Sequence, residues 1–354
     1  MSEQMYQMLA DKNELEWFFD HVIQRPQVNE SYSAVFVSRH KKLTDEEAKE
    51  FGVTRRDAEF LNVQTFKLRS IKDGSSQNDP TLWTFEQFLQ RLKRFNVDKG
   101  AFTTSTGCPI PDKTLAVIFY VNPCDDMKVC KKFVDEYNLV NEGIAKAMLG
   151  GKSTADNYQS YQWFGKADST IKHFKANCKG SRYWMDFDID VPSWFKSDPT
   201  PFYEGFMEYG KQHANGPVNY EDFKNGWLAE HKVMPDYYYN KMREVFTKSF
   251  GRGNYVIVDT CGGYHVLVRT CAIKSDPHDI CGKIIDIYTE GIANGNDPYV
   301  DEKGTCKFEC VINDSQIPGL PLPGTYQYGR PVTVLNKEDF EDIESIQENQ
   351  GAKE

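Results

Sequence analysis

No apolar run in the chain approaches the ~20 residues that a membrane-spanning helix requires, which argues against a membrane partner. The opening Met1-Ser2-Glu3-Gln4 is polar where a secretory leader would build toward an apolar core, so no signal peptide is expected. A regular cysteine framework is also missing. Nine cysteines, an odd number, are scattered without repeating spacing, which suits a reducing, cytoplasmic setting better than a disulfide scaffold. Net positive charge is lacking as well: at −10 the chain is a poor candidate for coating nucleic acid indiscriminately. Nor is there a phosphate-binding P-loop. Gly150-Gly151-Lys152-Ser153-Thr154 ends like one, but Lys146 stands where the first glycine is needed, and the segment follows a helical pattern rather than a strand. A helix end running into a loop explains it, and no motor for unwinding a duplex is visible. Internal repeats and long linkers are absent too.

What is present is 354 residues, enough for one large domain or two of ordinary size. A helix is expected from Asn13 to Gln24, with Leu15, Phe18, Phe19 and Val22 at helical spacing, and a buried strand at Ala34-Val37. Thr44-Asp45-Glu46-Glu47 is a capping box, and Thr84-Phe85-Glu86-Gln87 caps another helix. Leu115–Val121 reads as a central strand, followed by a long helix from about Asp125 to Leu149. Later come helices from Tyr220 to Glu230 and from Pro235 to Phe250, then apolar strands at Tyr255-Val258 and Val266-Val268. A helix from about Pro277 to Ile292 and short strands near Lys307-Ile312 and Val332-Leu335 complete the pattern. Strands and helices mix without strict βαβ alternation, which predicts an α+β fold with a mostly antiparallel or mixed sheet. The last residues, 336–354, are rich in acid (Glu338, Asp339, Glu341, Asp342, Glu344, Glu348) and read as a disordered tail.

The chemistry concentrates in Tyr183-Trp184-Met185-Asp186-Phe187-Asp188-Ile189-Asp190. Apolar side chains alternate with carboxylates at the period of a strand, so three anions share one face while Met185, Phe187 and Ile189 enter a core. Like charges at that spacing repel, and a divalent cation removes the cost. Magnesium is commonly held by one or two carboxylates with substrate phosphates completing its shell. The preceding segment is basic (Lys166, Lys172, His173, Lys175, Lys179, Arg182), a suitable approach for a polyanion, although a solvated helix face explains it equally well. Gly262-Gly263-Tyr264-His265 lies between two apolar strands; its glycines allow backbone to approach a ligand, and His265 could hold a phosphate oxygen. Asp314 ends another apolar strand. Thr325 and Arg330 sit on a loop rich in proline and glycine, where the planar fork of arginine matches phosphate oxygens.

In order, Asp-apolar-Asp, small-x-His and a strand ending in Asp resemble the catalytic core of the archaeo-eukaryotic primase superfamily, most of all the primase-polymerases of phages and plasmids. The resemblance spans about Ser181–Leu335. It implies a single catalytic domain over 1–335, two-lobed, with an α/β lobe at about 1–180 and an RRM-like lobe at about 181–335 whose mixed or antiparallel sheet carries the acidic site. It further implies that Asp186, Asp188 and Asp314 hold two Mg²⁺ or Mn²⁺ ions, and that Gly263, His265, Thr325 and Arg330 contact the nucleotide. The activity implied is template-directed nucleotidyl transfer from NTPs or dNTPs on single-stranded DNA, with a separate helicase or polymerase as partner and, for a phage protein, the host cytoplasm as location. Asn313, where the pattern calls for an apolar residue, leaves Asp297 and Asp301 as rivals to Asp314. A metal-dependent nuclease and a non-catalytic single-strand-binding subunit are the competing readings. His278, Cys281, Cys306 and Cys310 could supply a structural zinc site, but their irregular spacing and the apolar setting of Cys281 favour ordinary core thiols. Trp163, Phe164 and Lys166, or Tyr237–Tyr239 with Lys241, could stack unpaired bases, though such runs more often pack internally.

Overall fold

The computed structural model describes residues 5–55, 58–67, 83–103, 107–149, 177–190, 208–209, 211, 237–289, 309–312 and 317–340. In chain order its principal elements begin with α1 (Lys12–His21), β1 (Glu30–Arg39), α2 (Asp45–Phe51), β2 (Ala58–Lys67), α3 (Phe85–Leu92), β3 (Leu115–Tyr120), β4 (Cys124–Asp125) and α4 (Asp126–Leu149). They continue with β5 (Trp184–Asp190), α5 (Tyr237–Phe250), β6 (Tyr255–Asp259), β7 (Gly263–Arg269), α6 (His278–Thr289), β8 (Glu309–Ile312), β9 (Gly319–Pro321), β10 (Tyr326–Gln327), β11 (Arg330–Pro331) and β12 (Thr333–Val334). The fold is mixed α+β with antiparallel sheets. Among the described residues no helix is long and apolar enough to cross a membrane.

The chain forms two units, one of Met1–Trp184 with Asn313–Thr333, the other of Met185–Ile312 with Val334–Glu354. In the first, β1 is central, with β2 on one side and β3 on the other in antiparallel register, Ala34 facing both Gln64 and Phe119. Aromatic side chains fill the space under the helices. Tyr32 stacks on Phe119 at 5.6 Å, Phe88 meets Phe119 edge-on at 5.8 Å and lies 4.5 Å from Phe66. Such pairs contribute about 0.5–1.5 kcal/mol each beyond simple burial. The helices begin where their free N–H groups find acceptors: Asp11 accepts from Asn13 and Glu14, and Thr44 with Glu47 forms the expected capping box. Asn122 is buried and fixes the end of this unit, its side-chain carbonyl accepting from Tyr183 and Trp184 N–H, its amide donating to the Trp184 carbonyl. The Trp184 indole N–H donates to the Val22 carbonyl at 2.9 Å.

The lobe boundary expected near residue 181 needs correction at the far end. Residues 313–333 return to the first unit, because β9 and β10 pair with β3 (Leu320 opposite Phe119, Gln327 opposite Ala116) and continue its sheet. The proline- and glycine-rich loop has a packing reason of its own. Gly324, at φ 80°, presses against the start of α1, where an added Cβ would lie 2.6 Å from the Asp11 carbonyl and 2.7 Å from Leu15. Its own carbonyl accepts from Ala10 and Asp11.

The second unit is a sheet in the order β12-β6-β7-β5-β8, packed on α5 and α6. Met185, Phe187 and Ile189 of β5 join Ile257, Val266, Phe246 and Ile284 in its core, and Phe187 meets Phe246 edge-on at 5.3 Å. Residues 336–340 are not the disordered tail expected of them. Asn336 and Asp339 are fully buried, and Phe340 is 5 % exposed. Asn336 accepts from the Ile257 N–H and donates to the Tyr255 carbonyl, so the chain after β12 is stitched to β6. Residues 341–354 lie outside the described part.

Candidate functional site

β5 gives the alternation its sequence demands. Phe187 and Ile189 face the core at 0 % and 1 % exposure, and the carboxylates of Asp186, Asp188 and Asp190 take the other face. That face is graded rather than uniformly wet: Asp186 is 5 % exposed, the Asp188 side chain 48 %, and Asp190 is exposed. On β7 the same alternation sends Tyr264, Val266 and Val268 to the core and turns His265 toward the carboxylates. His265 Nδ1 lies 3.0 and 3.2 Å from the two oxygens of Asp186, and its Nε2 lies 3.5 Å from Asp188 Oδ1. One imidazole thus stands between two carboxylates, one ring nitrogen to each.

Burial of His265 by itself disfavours its charged form, but the adjacent Asp186, through its charge and its hydrogen bond, outweighs that, with Asp188 and Asp190 adding to it. The imidazolium is consequently held well above the ordinary histidine value, at about 9. At neutral pH both ring nitrogens therefore carry protons, and Nδ1–H donates to Asp186. Gly263 opens β7 at φ 155°, backbone that residues with side chains rarely adopt, and a Cβ on Gly262 would come 3.4 Å from Asp190 Oδ1. The Gly-Gly turn thus borders the acidic face. Asp190, which the resemblance left aside, joins the site by bordering this turn and by contributing to the charge on His265. The alternation of the strand was the signal for it.

Among the described residues no three His, Cys, Asp or Glu side chains meet as a self-sufficient metal cage. The donor chemistry nonetheless fits a hard dication of the magnesium type, which takes one or two carboxylates and completes its shell with water and phosphate. Asp186 is held in place by the imidazole, and the half-exposed Asp188 can be reached from solution.

The remaining expected residues fall elsewhere. Asp314 and its rivals Asp297 and Asp301 lie outside the described residues. Thr325 and Arg330 belong to the first unit. Thr325 is 2 % exposed with its hydroxyl donating to the Leu322 carbonyl at 2.7 Å, whereas Arg330 is exposed on the β10–β11 hairpin. Of the candidate zinc ligands, His278 is exposed, Cys306 lies outside the described residues, and the buried Cys281 and Cys310 thiols hydrogen-bond to each other. Of the aromatic runs, Trp163 and Phe164 are outside the described residues, and Tyr239 is core, 9 % exposed with its hydroxyl donating to the Leu335 carbonyl. Comparison with protein-family models, with curated proteins and with solved structures found no match to this chain.

Proposed function

We propose that the chain is a template-directed nucleotidyltransferase of the primase-polymerase kind, joining nucleoside triphosphates on single-stranded DNA by metal-dependent phosphoryl transfer. The observation that carries this reading is the convergence of Asp186 and Asp188 from β5 on His265 from β7, residues 79 and 77 positions apart that the resemblance had linked by role alone. Thr325, Arg330 and a third carboxylate enter through the resemblance only.

Asp186 and Asp188 would hold the Mg²⁺ or Mn²⁺ ions, which when bound neutralise phosphate charge and raise the nucleophilicity of an attacking hydroxyl. The rest falls to the chain. Asp186 is fixed in orientation because both its oxygens face one imidazole, so its geometry is set before substrate arrives. His265 carries a positive charge on the same face and is the natural donor to a phosphate oxygen, which would share it with the carboxylates. The turn at Gly262 and Gly263 lets a triphosphate approach main-chain atoms closely. No residue needs to form a covalent bond to the nucleotide, since positioning and charge neutralisation account for most of phosphoryl transfer.

Incubating the purified chain with labelled NTPs or dNTPs, Mg²⁺ or Mn²⁺ and single-stranded DNA should yield extended products. Asp186→Asn and Asp188→Asn should each abolish them while circular dichroism stays unchanged. Cleavage of labelled DNA without nucleotide incorporation would make the chain a nuclease. Binding of DNA that is indifferent to chelators and to Asp186→Asn, with no product, would make it a non-catalytic subunit.

A further inference from the structure

Among its described side chains, helix α4 uses only part of its circumference to pack on the first unit. Val129, 6 % exposed, and the half-buried Phe133 meet Cys124, Cys178, Ile317 and Tyr120. A separate stripe faces solvent: Met127 is 65 % exposed, Val134 53 % and Tyr137 41 %, and Cys130 is exposed between them. Their spacing is three, four, three. In the sequence the same seven-residue repeat continues through Asn141, Ile144 and Met148, so it runs for three heptads along a helix of 24 residues. A helix that only packs on its own domain has one apolar face, recurring every 3.6 residues. A second apolar stripe at 3.5 residues is the pattern of a seam wound against another helix, with Met127, Val134 and Asn141 at a and Cys130 and Tyr137 at d.

We propose that this stripe is a homodimer interface, in which α4 forms a parallel, in-register two-helix coiled coil with α4 of a second copy of this chain. Two features select that occupant. Asn141 is an exposed polar residue at an a position, and in a parallel in-register pair it meets its own counterpart, where one amide donates and the other accepts. Asp126 and Lys131 stand five residues apart at g and e, the positions that face each other across a parallel pair, so the two-fold axis generates two opposite-charge contacts. Asp126 is already oriented by the Ser31 hydroxyl, which donates to its Oδ1 at 2.7 Å. In an antiparallel pair a faces d and g faces g, and both matches are lost. The inference is independent of the catalytic reading, since it uses no residue of that site.

Light scattering after gel filtration of the full chain should give twice the chain mass. A short bis-maleimide, adding both thiols across its two double bonds, should link two chains through Cys130, and Cys130→Ser should abolish the link. Val134→Glu places a charge in the seam and should weaken self-association on the order of 100-fold without altering circular dichroism, because Val134 makes little contact within its own chain. A monomer at every concentration tested overturns the proposal, as does a dimer that ignores Val134→Glu. A dimer whose cross-link survives Cys130→Ser, or that gives none, overturns the parallel register. If Val134→Glu misfolds, Met127→Glu and the Cys130 cross-link in the unaltered chain decide.

Discussion

Two carboxylates in the second unit are buried to nearly the same degree, and they are partnered in opposite ways. Asp339 is 0 % exposed and Asp186 5 %. Asp339 receives Arg243 through Nη2 at 2.6 Å and Nε at 3.2 Å, with Asn336 at 3.3 Å, the Tyr255 hydroxyl at 3.4 Å and the Arg252 side chain at 3.7 Å. Its hydrogen bond to Arg243 pushes the guanidinium further toward its charged form, and arginine is charged at any accessible pH in any case. Asp186 faces a histidine whose charge is conditional, with two more carboxylates on the same strand face. A buried acid matched by permanent donors anchors structure. One left among surplus negative charge, beside a titratable partner, is poised to take up a cation.

The largest effect expected from this contrast is on stability at Asp339. Replacing it with alanine strips the part-buried Arg243 guanidinium of its bidentate partner, leaving it Glu338 at 2.9 Å, and removes one of the partners of Asn336 and of Tyr255. Breaking a buried pair in this way costs about 3–5 kcal/mol. Denaturant unfolding of Asp339→Ala should show that loss, and it should far exceed the loss in metal-free Asp186→Asn. Equal losses would mean that both acids are structural anchors and that the distinction is wrong.

The next effect is a pH dependence confined to one of the two pairs. His265 is held at about 9 in the folded chain against 6.5 ordinarily, so the folded state binds its proton more tightly than the unfolded state does. Its contribution is complete below about pH 6.5 and is lost as pH rises through about 9, with a slope approaching ~1.4 kcal/mol per pH unit. The Arg243 guanidinium stays charged throughout that window and supplies no slope. Unfolding free energies of the chain in chelator should therefore fall over this range, and His265→Gln should flatten the curve. A slope that survives His265→Gln would assign it to another group.

Much of this was legible in the residues, and the reason it stopped where it did is physical. The alternation of Trp184–Asp190 fixes which side chains share a face, since strand period is a local property, and the Gly-Gly turn fixes where β7 begins. Pairing is not local. Nothing in the run from 313 to 333 says that it rejoins β3, because β9 and β10 contribute two or three residues each and a proline-rich loop looks alike whether it cradles a ligand or packs on α1. The burial of Asp339 is hidden from the sequence for a related reason. Among neighbouring acids its composition signals a solvated tail, and its burial rests on donors distant in the sequence, above all Arg243, 96 positions earlier. The stripe on α4 was present in the sequence too, but the buried and exposed apolar positions of one helix overlap until the packing separates them.

The smallest stability effects sharpen the contrast most, because they come from the exposed member of each cluster. The Asp188 side chain is 48 % exposed and that of Arg252 61 %, so each interacts largely through water. Asp188→Asn and Arg252→Ala should both change unfolding free energy by less than about 1 kcal/mol. Their effects on ion binding should differ. Around Asp339 the positive charge of Arg243 remains when Arg252 is removed, and Mn²⁺ titration followed by electron paramagnetic resonance should be unchanged. Around Asp186 the loss of Asp188 leaves one buried carboxylate already engaged by an imidazolium, and affinity should fall at least about tenfold, the equivalent of ~1.4 kcal/mol. If Asp188→Asn binds Mn²⁺ as the unaltered chain does, the surplus negative charge on β5 is not what attracts the ion, and the difference between the two buried acids loses its functional meaning.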